Sequence, residues 1–143
     1  MSCVSIEQLL GGSAVVGRTI KNTMDMYEAA QSGLPKKALE NLGKSLGFTA
    51  KKMASVLQVT ERTLQRKSTT DILDTHTSEK ILQIADVYSK GCEIFGDPEP
   101  FSEWLQLENR ALNNKQPIDL LASQYGARMV LDELGRIAYG ITA

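Results

Sequence analysis

Apolar residues recur at helical spacing along most of the chain, and the clearest stretch begins at Leu34. Leu34, Ala38, Leu42 and Leu46 follow at four-residue intervals, which places them on one face of a helix. Gly33-Leu34-Pro35 precedes that face as a stop followed by a proline at a favoured first-turn position, and Gly47 closes it. The first 32 residues are weakly patterned, although Ile20, Met24, Tyr27 and Ala30 stand near helical spacing and predict a short helix over 20–30.

Two shorter helices follow. Thr49 is an N-cap leading into Met53, Val56 and Leu57 at helical spacing. Val59 reads as a turn, and Thr60 caps a second helix over 61–67 whose one strong apolar residue is Leu64. Ser68-Thr69-Thr70 is a loop. Thr77 or Ser78 then caps a longer helix carrying Ile81, Ile84, Ala85, Tyr88 and Phe95 on one face, broken by Gly96-Asp97-Pro98. Phe101, Trp104, Leu105 and Leu112 share the spacing of another helix, with Trp104 and Phe101 read as core. A turn over 113–117 comes next, then a short helix with Leu120, Leu121 and Tyr125 stopped by Gly126. Val130, Leu134, Ile137, Ala138 and Ile141 define the last helix. No run of β-branched residues alternates for long enough to make a strand, so the expected fold is all-α.

Composition changes this picture little. With 143 residues and 42% hydrophobic content, the chain can bury a core without staples. Cys3 and Cys92 are far apart, match no metal spacing and read as reduced thiols. No apolar run approaches the ~18 residues of a membrane span, and the N-terminus lacks the basic stretch of a signal peptide, so a cytoplasmic location is expected.

Charge changes it more. The net charge is only −1, yet residues 36–67 hold eight Lys/Arg against two acids, whereas residues 68–143 hold six against twelve. A basic block beside an acidic one implies two surfaces for two different partners.

The basic block coincides with the two short helices. A helix-turn-helix needs a small residue where its helices cross, apolar residues that lock the pair, and a polar second helix. Ala54 supplies the first; Met53, Leu57, Val59 and Leu64 supply the second. The outward positions of the second helix carry Glu61, Arg62, Gln65, Arg66 and Lys67. Arg can bridge guanine O6 and N7, and Gln can bridge adenine N6 and N7. Thr49, Lys51, Lys52 and Thr60 suit phosphates, which supply affinity without sequence information. The candidate DNA-binding set is therefore Thr49, Lys51, Lys52, Thr60, Arg62, Gln65, Arg66 and Lys67. Gln58 stands where a turn glycine is commonest, and Lys67 where an apolar residue often packs.

Read together from Leu34 onward, the chain resembles the Xre/MbcA/ParS family of antitoxins. The resemblance rests on Gly33-Leu34-Pro35; on Met53-Ala54, Leu57, Val59, Thr63-Leu64 and Arg66; and on Ser78-Glu79, Ile84 and Phe95-Gly96-Asp97. It continues through Trp104-Leu105, Pro117-Ile118-Asp119-Leu120-Leu121, Gly126, Val130, Leu134-Gly135-Arg136-Ile137 and Gly140. Asn113-Asn114-Lys115 departs from the family, which usually has glycine before this turn. The resemblance implies a Cro-like helix-turn-helix domain followed by a small helical toxin-binding domain. It also implies pairing with a RES-domain toxin that destroys NAD, obstruction of that toxin's active site, and repression of the shared operon. On this reading residues 1–32 form an N-terminal segment of unclear role, 33–75 the DNA-binding domain and 76–143 the toxin-binding domain. Arg136, Tyr139, Gly140 and the tail Ile141, Thr142 and Ala143 are the candidate toxin contacts. A homodimer on a near-palindromic operator is expected, because one short helix reads too few bases.

No residue set points to catalysis, a cofactor or a metal. His76 is the one histidine and has no second imidazole nearby; Asp132 and Glu133 are adjacent on a helix and point apart; Gly11-Gly12 lacks the Lys-Ser/Thr sequel of a phosphate loop. Two further readings stay open at this point: a solitary helix-turn-helix regulator without a toxin partner, and a helical interaction module whose basic block is incidental.

Overall fold

The structure, a computed structural model, describes residues 4–140. Three helices lead in: α1 (Ile6–Leu9), α2 (Ser13–Val16) and α3 (Thr23–Ser32). Three more form the basic region: α4 (Lys36–Leu46), α5 (Ala50–Leu57) and α6 (Glu61–Gln65). The long α7 (Thr75–Phe95) is followed by α8 (Pro98–Leu105), by 3₁₀ turns at Arg110–Leu112 and Pro117–Leu120, and by α9 (Gln124–Ala138). No strand forms among the described residues; two isolated bridges pair Pro35 with Ile72 and Asn109 with Lys115.

The fold is organised around α7. Ile81, Leu82, Ile84, Ala85, Val87 and Tyr88 are all buried, so its apolar surface wraps round the helix instead of forming one stripe. That pattern follows from its neighbours, for α7 packs against α1, α3, α4 and α5 before it in the chain and α8 and α9 after it. At its start, the fully buried Ser78 hydroxyl accepts the Leu34 N–H at 2.9 Å, and the Leu73 N–H donates to the Leu34 carbonyl at 2.8 Å. Gly33 lies against Ile72 and the Leu73 carbonyl, where a Cβ would collide, and its φ of +84° is one that side chains rarely adopt. The loop after α6 also completes α4. The N–H groups of Lys36 and Lys37 donate to the Asp71 and Thr69 carbonyls, which serves a helix start that no side chain caps.

An aromatic group joins α7 to α8. The Phe101 ring lies 5.5 Å from Tyr88, 5.4 Å from Phe95 and 5.9 Å from Trp104, while Phe95 and Trp104 are 5.8 Å apart. Phe101 is buried and Trp104 half-buried, as core packing requires. Gly91 makes room for it, since a Cβ there would meet the Phe101 ring. The N-terminal helices are part of the same core through Leu9, Leu10, Val16 and Ile20. Asn41 donates to the Leu10 carbonyl at 3.0 Å, and the Glu7 carboxylate accepts the Ile20 N–H at 3.1 Å.

Several expected details differ. Helix α3 begins at Thr23, capped by Asn22, and its buried residues are Ala29 and Ala30, whereas Met24 and Tyr27 are exposed. Asp74 occupies the N-cap position of α7, and Thr77 and Ser78 lie buried in its first turns. Helix α8 stops at Leu105, so Leu112 reaches the core from a separate 3₁₀ turn. Gly126 does not end a helix; it lies near the start of α9, close enough to the Leu120 carbonyl that a Cβ would clash. Asn113 and Asn114 take φ of 61° and 63°, the left-handed region that Asn tolerates best after glycine. No cysteine among the described residues is free, contrary to the expected reduced thiols; Cys3 lies outside those residues. No helix among the described residues is long and apolar enough to cross a membrane.

Candidate nucleic-acid and partner interfaces

Local chemistry fixes the α5–α6 pair. The Thr49 hydroxyl accepts the Lys52 N–H at 3.1 Å, and Met53, Ala54, Val56 and Leu57 turn inward. Gln58 ends α5 in the left-handed region at φ 60°, and the next N–H, that of Val59, donates back to the Ala54 carbonyl at 3.0 Å. Thr60 restarts the chain as a helix: its hydroxyl accepts the Thr63 N–H at 3.1 Å and lies 2.6 Å from the Thr63 hydroxyl.

Leu64 is the one buried residue of α6. Arg62, Gln65 and Arg66 are all exposed, as are Thr49, Lys51 and Thr60. Lys67 is half-buried, and its carbonyl accepts the Lys36 ammonium at 2.9 Å, so the chain leaving α6 is tied back to α4. Lys52 is also half-buried; its ammonium lies 3.6 Å from Asp119 and 5.8 Å above the Phe48 ring centre. It therefore divides its charge between the basic region and the C-terminal half. Just beyond α6, the Asp71 carboxylate accepts the Ser68 N–H at 2.8 Å. That bond, followed by one to the Ser68 hydroxyl, holds the carboxyl below its ordinary value.

The lysines of α4 lie outside the DNA-binding set expected from the sequence. A hollow of about 460 Å³ has Lys36, Lys37 and Lys44 in its lining together with Gln65, over an apolar floor that includes Leu39 and Met53. The cations of α4 thus border the side of α6. Spacing alone does not reveal this, because it depends on how α4 and α6 cross.

At the other end of the chain, the Arg136 guanidinium donates from Nε to Glu133 at 2.8 Å, and Tyr139 is exposed. Gly140 is exposed with φ 70°. Ile141, Thr142 and Ala143 lie outside the described residues. Tyr125, read from the sequence as apolar packing beside Leu120 and Leu121, is instead exposed, and so is Met129. Asp132 is exposed one position before the half-buried Glu133, and His76 is exposed. Among the described residues no cluster of His, Cys, Asp and Glu is arranged to hold a metal ion.

Two family models match the chain. An antitoxin Xre-like helix-turn-helix domain matches residues 25–86, and the antitoxin Xre/MbcA/ParS C-terminal toxin-binding domain matches residues 91–140. No curated protein matches it. The first match encloses α4 to α6 and most of α7; the second encloses the aromatic cluster's α8 and all of α9. The chain belongs to the Xre/MbcA/ParS antitoxin family, non-enzymatic proteins in which a helix-turn-helix domain is followed by a helical toxin-binding domain.

Proposed function

We propose that this antitoxin neutralises a RES-domain toxin that degrades NAD, and represses its own operon by sequence-specific DNA binding as a cytoplasmic homodimer. The observation that carries the DNA half is the mounting of α6. One leucine and one capping threonine hold the helix, leaving Arg62, Gln65 and Arg66 at the surface. Those three read base edges in the major groove. Thr49, Lys51, Lys52, Thr60 and Lys67 contact phosphates and set the register. Two copies are needed because each offers a recognition helix of only five residues.

The toxin half rests on the matched C-terminal domain, and the choice of a RES toxin on the family resemblance. Arg136, Tyr139, Gly140 and the three residues beyond contact the toxin. The test is co-expression with the product of the neighbouring reading frame. Induction of that product alone should deplete cellular NAD, and the full antitoxin should restore it. An antitoxin lacking residues 140–143 should fail to restore NAD while still binding the operator. Full protection by the truncated chain would remove the tail from the interface, and unchanged NAD on inducing the neighbour alone would remove the RES assignment.

A further inference from the structure

We infer that the toxin seats along the outward face of α9, from Tyr125 to Tyr139, and not on the C-terminal tail alone. This rests on the toxin-binding reading above and gives it a surface. Tyr125, Met129, Asp132, Arg136 and Tyr139 recur at i, i+4, i+7, i+11 and i+14, which aligns them in one stripe along the helix and its cap. The buried residues of α9 include Ala127, Val130 and Leu134, on the opposite side. An amphipathic helix ordinarily turns charged and polar residues to solvent. Here that side bears Tyr125 at 76% exposure, Met129 at 45% and Tyr139 at 83%.

Scattered exposed apolar residues need no explanation, but an aligned group does. Eight large apolar residues are exposed among the described residues, and three of them fall on this stripe. Tyr and Met are enriched in the cores of protein interfaces, and a tyrosine supplies a large contact area at small entropic cost. The stripe also stands on an element of the core. Its helix is anchored to α7, and Glu133 braces Arg136 from the adjacent turn. Arg136 is paired with Glu133, and Arg128 and Asp132 are both exposed beside the apolar groups, so the face carries both signs of charge. An apolar cleft with a mixed polar rim therefore complements it. Fifteen helical residues span about 22 Å, enough to fill a groove in the helix-in-groove manner. The occupant is the toxin because the matched toxin-binding domain, residues 91–140, contains the whole stripe.

The test uses the full chain carrying Tyr125→Ala and Met129→Ala together, titrated with the protein encoded by the neighbouring toxin frame. Both side chains are exposed, so the melting temperature and operator affinity should match those of the parent. Toxin affinity should fall about 30-fold or more, the loss expected of interface anchors. Oxidative footprinting of the parent complex reads the same surface without a substitution: Met129 should be protected when the toxin is bound. An affinity within about threefold of the parent, or a Met129 as reactive in the complex as alone, would overturn the assignment while leaving the antitoxin reading in place. Loss of self-association by light scattering, with toxin affinity unchanged, would give the face to a second copy and overturn it equally. Failure of the parent chain to bind the neighbouring protein would instead sink the toxin-binding reading itself.

Discussion

Helices α6 and α9 present outward surfaces by opposite means. Helix α6 has five residues and one buried side chain, Leu64, so its place depends on the Thr60 cap, the Gln58 turn and the loop that ties back to α4. Helix α9 has fifteen residues and is seated by Gly126, Ala127, Val130 and Leu134. The first exposes charge and amide groups, the second tyrosine, methionine and arginine. A polyanion is met by groups that stay solvated until contact, whereas a protein cleft is met by apolar groups that desolvate together. The lesson is that the proposed DNA surface can be erased without touching the core, while the proposed toxin-facing surface is one side of a helix whose other side is the core.

The hardest blow to this contrast is Phe101→Ala. The ring is fully buried among Tyr88, Phe95 and Trp104, and its removal should cost about 3–5 kcal/mol by urea denaturation. Because α7 packs against both halves, the loss should appear as one cooperative transition shifted to lower urea. Two separated transitions would mean that the halves fold independently and that α7 does not unite them.

Much of the α4–α6 geometry was legible in the sequence because each device there is local. The spacing of Leu34, Ala38, Leu42 and Leu46, the caps Thr49 and Thr60, and the lone Leu64 in a polar helix need no knowledge of the rest of the fold. The C-terminal half was less legible because its decisive features come from distant partners. Gly126 looks like a helix stop until the Leu120 carbonyl is seen against it, and Gly91 carries no signal until Phe101 is placed. Leu112 fits the spacing of α8, but the chain leaves that helix after Leu105 and returns through a 3₁₀ turn. Hydropathy also misphased α3, whose core contacts are the small Ala29 and Ala30 while the larger Met24 and Tyr27 face outward.

Smaller changes sharpen the contrast on the α6 side. Gln58 holds a left-handed conformation that costs a side chain about 1 kcal/mol, so Gln58→Gly should raise the melting temperature by about 2–4 °C with operator affinity unchanged. A lower melting temperature would show that the Gln58 side chain contributes more than its backbone costs. The smallest effect concerns acid. Asp71 is held below its ordinary value of 3.8 by the Ser68 N–H and then by the Ser68 hydroxyl. Its contribution is therefore complete above that value and lost as pH falls through the lower folded value. In melting curves between pH 6 and pH 3, Asp71→Asn should lose slightly less stability on acidification than the parent. An identical pH dependence for the two chains would remove this carboxylate from the loop that braces α4.

The most direct test is an operator titration of the Arg62→Ala, Gln65→Ala, Arg66→Ala chain beside the parent, with toxin binding measured on the same samples. The expected result is loss of sequence-specific operator binding, retention of toxin affinity and an unchanged melting temperature. Operator affinity equal to the parent's would contradict α6 as the reading helix, whatever the toxin measurement showed.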